Sequence, residues 1–160
     1  MTQPDDLVVR PLGRVVRGRA PGARDDRWEW AEAEIEIDAA WAEALDGIDG
    51  FSHIWVVWWL DRFEEPPMQR KVHPERREEL PLLGLLATRS PHRPNPLALT
   101  AVRLLAREGA RLRVQGLDAF EGTPVLDIKP YLRRGDLIPE ATAPEWLEEL
   151  WRRHDQERDA

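Results

Sequence analysis

A proline-rich segment in the middle of the chain constrains the fold more than any other feature. An apolar run at 82–87 is followed by Pro91, Pro94 and Pro96, and a second apolar run begins at Leu97. Proline fixes its own φ, has no N–H to donate to a neighbouring strand, and favours extended backbone in the residue before it. Because neither a helix nor a paired strand can continue through this segment, it predicts a rigid connection between two strands.

The proline-rich segment also carries side chains that can bind an anion. They are two arginines, a serine, a histidine and an asparagine: Arg89, Ser90, His92, Arg93 and Asn95. A loop stiffened by proline loses little conformational entropy when a ligand binds. We therefore interpret the segment as a preorganised site for an anion or a nucleotide. Arg89 can hold a carboxylate or phosphate with two parallel hydrogen bonds, and the alternative is that it forms a structural salt bridge.

Most of the remaining chain has the short apolar runs and the apolar–polar alternation of β-strands. The predicted strands are 8–16, 28–37, 51–60, 82–87, 97–105, 111–117 and 125–132. Residues 51–60 are apolar on both faces, which predicts a central strand, and the charged stretch 61–81 predicts a long exposed loop. Residues 39–46 predict a short helix, and Pro144 opens a C-terminal helix. This pattern favours a mainly β fold, a small closed barrel with two helices.

Length and composition predict one globular domain. Of the 160 residues, 42% are apolar and 33% charged, so we expect a barrel core at about 8–132 and a terminal helix at about 144–156. No apolar run reaches membrane-spanning length, and the N-terminus lacks the features of a signal peptide. Cysteine is absent and no residue pair has the spacing of a metal site, so we expect a cytoplasmic protein without disulfides or metal. The eight tryptophans are expected mostly in the core.

Charge is unevenly distributed along the chain. The net charge is −7, with acidic residues concentrated at 25–49 and from Asp136 onward, whereas arginine is abundant between 62 and 113. A basic middle that contains the proline-rich segment is compatible with local contact to phosphate. The acidic total charge argues against tight, non-specific binding to DNA.

Three motifs of this sequence occur together, in the same order, in one protein family. They are L-D-G-I-D-G-F-S-H-I-W at 45–55, A-T-R-S-P-H-R-P-N-P at 87–96, and G-L-D-A-F-E-G-T-P-V-L-D-I-K-P-Y at 116–131. From about Leu12 to Leu132 the chain resembles the TrmO (TsaA-like) family. The resemblance implies a single-sheet β-barrel that binds S-adenosylmethionine, forms a homodimer with the cofactor near the interface, and methylates N6 of threonylcarbamoyladenosine beside the tRNA anticodon.

The resemblance also implies which residues contact the cofactor. They are Asp61, Arg62, Arg89, Leu99, Ala119, Phe120, Glu121, Gly122 and Thr123. Arg89 matches a family arginine that contacts the cofactor, and Leu99 matches a position that supplies a backbone contact, although its sequence context alone predicts a core leucine. Gly122 permits close backbone approach, and Phe120 can lie against adenine.

Charged residues near this set have open roles. Asp61 can lie near the sulfonium and Arg62 can bind the cofactor carboxylate, or the two form an exposed ion pair worth little. Asp118, Asp127 and Lys129 are expected to form a buried ion network that shapes the site.

The sequence departs from the better-known branch of the family at two places. A-R-D-D-R-W at 23–28 replaces a Pro-Arg-Gln stretch, and Asp61-Arg62 replaces a histidine followed by arginine or glutamine. Both changes resemble a shorter subgroup, and they leave the methyl acceptor open. The alternatives are tRNA, a small molecule, and no acceptor at all in a cofactor-binding protein without catalysis. Trp28 and Trp30, beside the variable loop, could stack on a base.

The chemistry implied by the resemblance needs alignment more than acid–base catalysis. Sulfonium is a good leaving group, so the rate of methyl transfer depends chiefly on holding nucleophile, methyl group and sulfur in line. Asp61, His92 and Asp118 are all open as a general base. His53 is expected to be a hydrogen-bonded core or interface residue, whereas His73 and His92 are exposed candidates for contact with an acceptor.

Overall fold

The structure is a computed structural model that describes residues 8–20, 28–63 and 69–159. Its strands are β1 (Gly13–Arg17), β2 (Glu32–Ile37), β3 (His53–Trp59), β4 (Lys71–Val72), β5 (Leu83–Gly84), β6 (Leu97–Glu108), β7 (Arg111–Gln115) and β8 (Pro124–Pro130). The α-helices are α1 (Arg133–Asp136) and α2 (Glu145–Asp159). Single 3₁₀ turns or short 3₁₀ helices span Trp28–Trp30, Ala39–Leu45, Ile48–Gly50, Asp61–Phe63, Pro74–Arg76 and Leu85–Ala87.

The chain divides into two compact units. The first consists of Met1–Met68 and Ser90–Tyr131, and the second consists of Gln69–Arg89 and Leu132–Ala160.

The first unit is a closed antiparallel β-barrel, which confirms the predicted fold class. Its strand order is β1-β2-β7-β6-β3-β8, and pairing of Gly13 with Val125 and of Arg14 with Pro124 closes the sheet. β3 pairs with β6 on one side and β8 on the other, as every strand of a closed barrel has two neighbours. Strand β6 is long, with 12 residues, and its register with β7 shifts between Leu104 and Ala106. Such an irregularity bends a strand and helps a sheet to close.

The barrel interior is filled by one alternating set of side chains from each strand. In β2, Ala33, Ile35 and Ile37 are buried while the glutamates between them face outward, as the period of two requires. Residues from the other strands complete the core, among them Val15, Ile54, Val56, Val102, Leu112, Val114 and Val125. Burying each such side chain contributes about 1.5–3 kcal/mol relative to leaving it exposed. The core therefore lies inside the barrel and its ends stay available for a site.

Several predicted element boundaries are wrong. Strand 28–37 begins only at Glu32 because Trp28–Trp30 forms a 3₁₀ turn, and strand 8–16 begins only at Gly13. Helix 39–46 is present as a 3₁₀ helix, where Asp38 accepts a hydrogen bond from the Ala40 N–H at 3.0 Å. Residues 82–87 do not form one strand, since β5 has two residues and a 3₁₀ turn follows.

The second unit contains a small sheet and both α-helices. β4 and β5 pair antiparallel, Lys71 with Gly84 and Val72 with Leu83. The described part of the predicted loop 61–81 is therefore not uniformly exposed, and Leu80 is buried. Within it, Glu75 and Arg76 have φ values of 54° and 59°, in the left-handed region that side-chain-bearing residues rarely adopt. The Glu75 carboxylate lies 3.2 Å from Arg77 Nε and 3.3 Å from His154 Nε2.

The tryptophans are less buried than predicted. Among the eight, Trp58 alone is buried, whereas Trp30, Trp41 and Trp151 are exposed to 70%, 58% and 48%. The terminal helix is likewise only partly covered, because Leu150 is buried and Trp151 is not. The large indole ring is seldom buried completely, and here the narrow barrel is filled by branched aliphatic residues instead.

Candidate cofactor site

Two turns of the first unit lie at one end of the barrel. β1 and β3 end there, and β6 and β8 begin there. The turn Asp61–Phe63 follows β3, and the turn 117–123 precedes β8. Antiparallel pairing produces this arrangement, because Val125 at the start of β8 is opposite Trp58 near the end of β3. Most of the predicted cofactor residues lie on these two turns.

Backbone hydrogen bonds fix the turn 117–123 against the end of β1. The Arg19 N–H donates to the Ala119 carbonyl at 2.8 Å, the Gly122 N–H to the Val15 carbonyl at 2.8 Å, and the Val15 N–H to the Thr123 carbonyl at 2.9 Å. Gly122 has a φ of +90°, which favours glycine. Glycine is thus required at position 122 by the backbone conformation of the turn, and the predicted role of Gly122 at the cofactor stays a prediction.

Gly18 permits this close approach. A Cβ atom at Gly18 would lie 2.5 Å from the Ala119 carbonyl oxygen and 3.2 Å from the Glu121 nitrogen. Both neighbours are backbone atoms, so neither can move aside as a flexible side chain would. The polar turn that follows β1 therefore needs glycine at this position.

Asp61 and Arg62 both contact the turn 117–123. The Thr123 hydroxyl, which is almost completely buried, donates to Asp61 Oδ1 at 3.3 Å. The Arg62 guanidinium carbon lies 4.2 Å from the centre of the Phe120 ring, within the range of a cation–π interaction. Asp61 and Arg62 thus each contact the turn, and the ion pairs of the described residues include none between the two. Their role at the cofactor stays a prediction.

Arg19 is a residue at this site that the sequence did not reveal. Its guanidinium forms an ion pair with Asp118, and its guanidinium carbon lies 5.8 Å from the Phe120 ring centre. The sequence around it, G-R-A-P-G, indicates only a polar turn. Arg19 lies close to Phe120 because the two residues form a parallel β-bridge although they are far apart in the chain. A local sequence pattern cannot predict such a bridge.

The proline-rich segment is held against the turn Asp61–Phe63. The Leu60 N–H donates to the Pro96 carbonyl at 2.7 Å, and the rings of Phe63 and His92 meet edge to face with centres 5.1 Å apart. Pro96 is buried. Within the segment, Arg93 Nη1 donates to the Ser90 carbonyl at 3.3 Å. These contacts support the prediction of a rigid connection.

Arg89 lies in the second unit, where it is exposed. The residue before it, Thr88, ends the 3₁₀ turn Leu85–Ala87, with its hydroxyl donating to the Leu85 carbonyl at 2.8 Å. The role of Arg89 at the cofactor stays a prediction.

Leu99 is not the core residue that its sequence context predicts. It is 57% exposed on the outer face of β6, together with Leu97, which is 45% exposed. The alternation of β6 explains the difference, because Ala98, Thr100 and Val102 occupy the inward positions and Val102 is buried. Across the pair, Val57 and Trp59 of β3 are opposite Leu99 and Leu97. The barrel wall therefore has an outward apolar face at β3 and β6.

His53 is hydrogen-bonded, as predicted, with Nδ1 2.9 Å from the Ser52 hydroxyl, and its ring lies against Tyr131. It is exposed and therefore not in the core, and its place in an interface stays a prediction. The expected buried ion network is absent from the described structure. Asp127 and Lys129 pair with each other at 2.6 Å but stay 41% and 64% exposed, and Asp118 pairs with Arg19 instead. Side chains at successive outward positions of β8 face water, whatever their charge.

The other predicted residues fall outside this cluster or outside the described residues. The described part of the variable loop is Trp28 alone, and residues 23–27 lie outside it. His73, predicted as exposed, is half-buried with Nδ1 2.7 Å from the Leu80 carbonyl oxygen. Within the described ranges, His, Asp and Glu side chains form no group of three that could hold a metal ion. No helix of the described chain has the length and apolar character needed to cross a membrane.

A concavity lies at the opposite end of the barrel from the turns Asp61–Phe63 and 117–123. It is a groove of about 550 Å³ whose lining includes Leu12, Trp41, Phe51, Asp127 and Pro130. None of the predicted cofactor residues lines it. The candidate site is therefore the end formed by the turns Asp61–Phe63 and 117–123.

The chemistry of this end suits a ligand with both charges and a flat ring. Phe120 offers an aromatic surface, Arg19 and Arg62 bring positive charge to it, and Asp61 supplies a carboxylate tied to the turn. Glu121 and Gly122 are exposed, while Ala119 and Thr123 are buried and hold the turn in place. This arrangement defines a small β-barrel protein with a candidate binding site on the turns at one end.

Comparison with known families agrees with that description. Residues 23–137 match the family model of the tRNA-methyltransferase O N-terminal domain. The chain belongs to this family.

Individual relatives differ in how much of their length the chain covers. A protein of Methanothermobacter thermautotrophicus named a probable S-adenosyl-L-methionine-binding protein is 40% identical over 130 residues, which are 79% of this chain and 90% of the relative. The tRNA (adenine(37)-N6)-methyltransferase of Escherichia coli is 34% identical over 119 residues, covering 71% of this chain and 51% of that enzyme. Coverage falls to 32% for a longer protein of Archaeoglobus fulgidus.

A solved structure confirms the fold. The crystal structure of TrmO from Pseudomonas aeruginosa aligns with a TM-score of 0.66 at 30% identity, covering 86% of this chain and 62% of that one. This chain thus spans less than two thirds of the solved TrmO chain.

Proposed function

We propose that this protein is an S-adenosylmethionine-dependent N-methyltransferase that methylates N6 of threonylcarbamoyladenosine next to the tRNA anticodon. The observation that carries the proposal is the clustering of Phe120, Arg62 and Asp61 on two turns at one barrel end. Membership of the tRNA-methyltransferase O family and the named activity of the Escherichia coli relative support it.

The residues of the site fit the parts of S-adenosylmethionine. When bound, this cofactor supplies a methyl group activated by a positively charged sulfur. The Asp61 carboxylate would attract the positive charges of the sulfonium and ammonium groups, and the Arg62 guanidinium would bind the carboxylate. Phe120 would lie against the adenine, and the exposed backbone at Glu121 and Gly122 would border it. Leu99 and Arg89 are further proposed contacts.

Catalysis would rest mainly on positioning. The turn 117–123 is held by two backbone hydrogen bonds to β1 and a third to Arg19, and the proline-rich segment is held to the turn Asp61–Phe63. Rigid walls of this kind can align a nucleophile with a methyl group without much reorganisation. Asp61, Asp118 and His92 stay open as the group that accepts the proton from the acceptor nitrogen. The tRNA substrate would place the protein in the cytoplasm.

A test combines purified protein with cellular nucleosides. We expect calorimetry to detect binding of S-adenosylmethionine without added metal. We also expect mass spectrometry to find methylated threonylcarbamoyladenosine in tRNA from cells with the gene and to miss it in cells without the gene. An Asp61→Asn version of the gene, with the wild type as control, should restore less of the modification. An unchanged nucleoside profile would exclude this acceptor.

Two other functions have observations in their favour. The net charge of −7 and the replaced segment at 23–28 favour a small-molecule acceptor. The archaeal relative is named only for cofactor binding, which favours a binding protein without catalysis. Binding of S-adenosylmethionine with no change in tRNA nucleosides would support these alternatives, and turnover of the cofactor with a small acceptor would separate them.

We further propose that the protein forms a homodimer through the outward apolar face of β3 and β6. Leu97 and Leu99 are exposed there and stand opposite Trp59 and Val57. A face of this kind on one copy is self-complementary around a two-fold axis, and burying it would remove apolar surface from water.

A further inference from the structure

Arg19 lies against the turn 117–123 without belonging to it. Gly18 allows the backbone of β1 to approach the turn, so that the Arg19 N–H reaches the Ala119 carbonyl at 2.8 Å. Residue 19 is then bridged to Phe120, in parallel orientation. These backbone contacts therefore fix the position of the Arg19 Cα atom beside Phe120.

The Arg19 side chain then makes two contacts with the turn. Its guanidinium pairs with Asp118, and its guanidinium carbon lies 5.8 Å from the Phe120 ring centre. The side chain of Arg19 is only 22% exposed and that of Asp118 is 41% exposed. A partly buried pair is screened less by salt and water than a pair on the surface. Arg19 thus connects the residue that opens the turn with the aromatic ring at its centre.

Arg62 contacts the same ring in a different way. Its guanidinium carbon is closer to the ring centre, at 4.2 Å, but the residue is exposed. An exposed arginine can leave the ring and turn toward a carboxylate at little cost. The two arginines therefore differ in their surroundings, because Arg62 is exposed whereas Arg19 is partly buried in an ion pair with Asp118.

We propose that Arg19 is a positioning residue that fixes Phe120 as the platform for the adenine ring of the ligand. This inference rests on the proposed function, since it takes S-adenosylmethionine as the ligand. In this role Arg19 acts on the ligand through Phe120 and not through contact with the amino-acid end. Its removal should therefore weaken every ligand that carries the adenine by the same factor, whether or not the ligand has an amino acid.

The test compares two ligands that share the adenine. S-Adenosylhomocysteine has the amino-acid group and 5′-methylthioadenosine lacks it. Calorimetry should show that Arg19→Met weakens both by about tenfold, the loss expected for one charge-assisted contact. Arg19→Lys, which keeps the charge, should recover part of the affinity. Arg62→Ala should weaken S-adenosylhomocysteine more than 5′-methylthioadenosine.

Arg17, the last residue of β1, provides a matched control two residues before Arg19. It pairs with Glu34 at 3.0 Å and Glu32 at 3.6 Å on β2 and is half exposed, so Arg17→Met removes ion pairs of β1 without reaching the turn. The Arg17→Met variant should bind S-adenosylhomocysteine and 5′-methylthioadenosine with wild-type affinity. Should Arg19→Met fail to fold, Asp118→Asn removes the same ion pair with little change in size and should weaken both ligands equally.

The outcomes separate the two levels of the proposal. Unchanged affinity for 5′-methylthioadenosine in folded Arg19→Met or Asp118→Asn overturns the role of Arg19, as does a loss confined to S-adenosylhomocysteine. A wild-type protein that binds neither ligand overturns the proposed function itself, and the inference with it.

Discussion

At the scale of single residues, Gly18 joins β1 to the turn 117–123, and its substitution should be costly. We expect Gly18→Ala to lower the free energy of unfolding by about 1–3 kcal/mol, because the added Cβ has to push backbone atoms apart. Gly50→Ala is the matched control, since a Cβ at Gly50 meets nothing within 4 Å. Urea unfolding of both variants measures the difference. Equal stability of the two variants would show that the turn can move away from β1.

Arg89 is the second residue whose substitution should have a measurable effect, in this case on cofactor binding. If it binds the cofactor carboxylate, Arg89→Ala should weaken S-adenosylmethionine binding by about 1.5–3 kcal/mol, the range for a hydrogen bond to a charged group. Arg134→Ala removes another exposed arginine of the second unit and serves as the control. Calorimetry on both variants measures their affinity for S-adenosylmethionine. Wild-type affinity in a folded Arg89→Ala variant would assign the arginine a structural role.

At the scale of elements, the terminal helix α2 contains an ion pair that changes the pKa of one of its glutamates. Arg153 donates to Glu149 at 2.8 Å, one helical turn away, and this hydrogen bond lowers the pKa of Glu149. A carboxyl with a lowered pKa in the folded state adds stability above its unfolded pKa and loses that stability as the pH falls through the folded value. The contribution of this pair to folding is therefore present at neutral pH and disappears in acid.

A titration followed by NMR can test this helix pair. In Arg153→Ala the pKa of Glu149 should rise toward the ordinary value of a glutamate, because both the hydrogen bond and the nearest positive charge are gone. Arg152→Ala is the control, because Arg152 makes a smaller contribution of the same sign. A pKa that stays low in Arg153→Ala would contradict the assigned cause.

The elements also show what a sequence can reveal and what it cannot. Alternation in β2 and the apolar run of β3 were sufficient to predict both strands. In β3 one face is buried in the core, and the other is an apolar outward face that is half-buried. The apolar run 82–87 was misleading, since Leu85 is buried while Leu82 and Leu86 are exposed, at no strand-like period. The turn 117–123 was found through its family motif. Arg19 was not found, because its bridge to Phe120 depends on barrel closure.

At the scale of the whole molecule, assembly is the property to measure. If Leu97 and Leu99 lie in a dimer interface, light scattering at micromolar concentration should report about twice the chain mass of 18.5 kDa. Leu99→Glu should give a monomer, because a charge buried in an apolar interface is costly. Val8→Glu, which places the same charge at an exposed residue before β1, should stay dimeric. A monomeric wild type would exclude the proposed dimer.

Barrel closure has a consequence for how the chain is made. β1 and β8 are the first and last strands of the barrel, and they form its closing seam. Strands β1 and β2 leave the ribosome first, but β1 cannot pair with β8 until Val125 has emerged. Until then β1 and β3 each keep an open edge that another chain could pair with. A chain cut short before β8 is therefore expected to aggregate rather than fold, and chaperone demand should peak just before the final strand is synthesised.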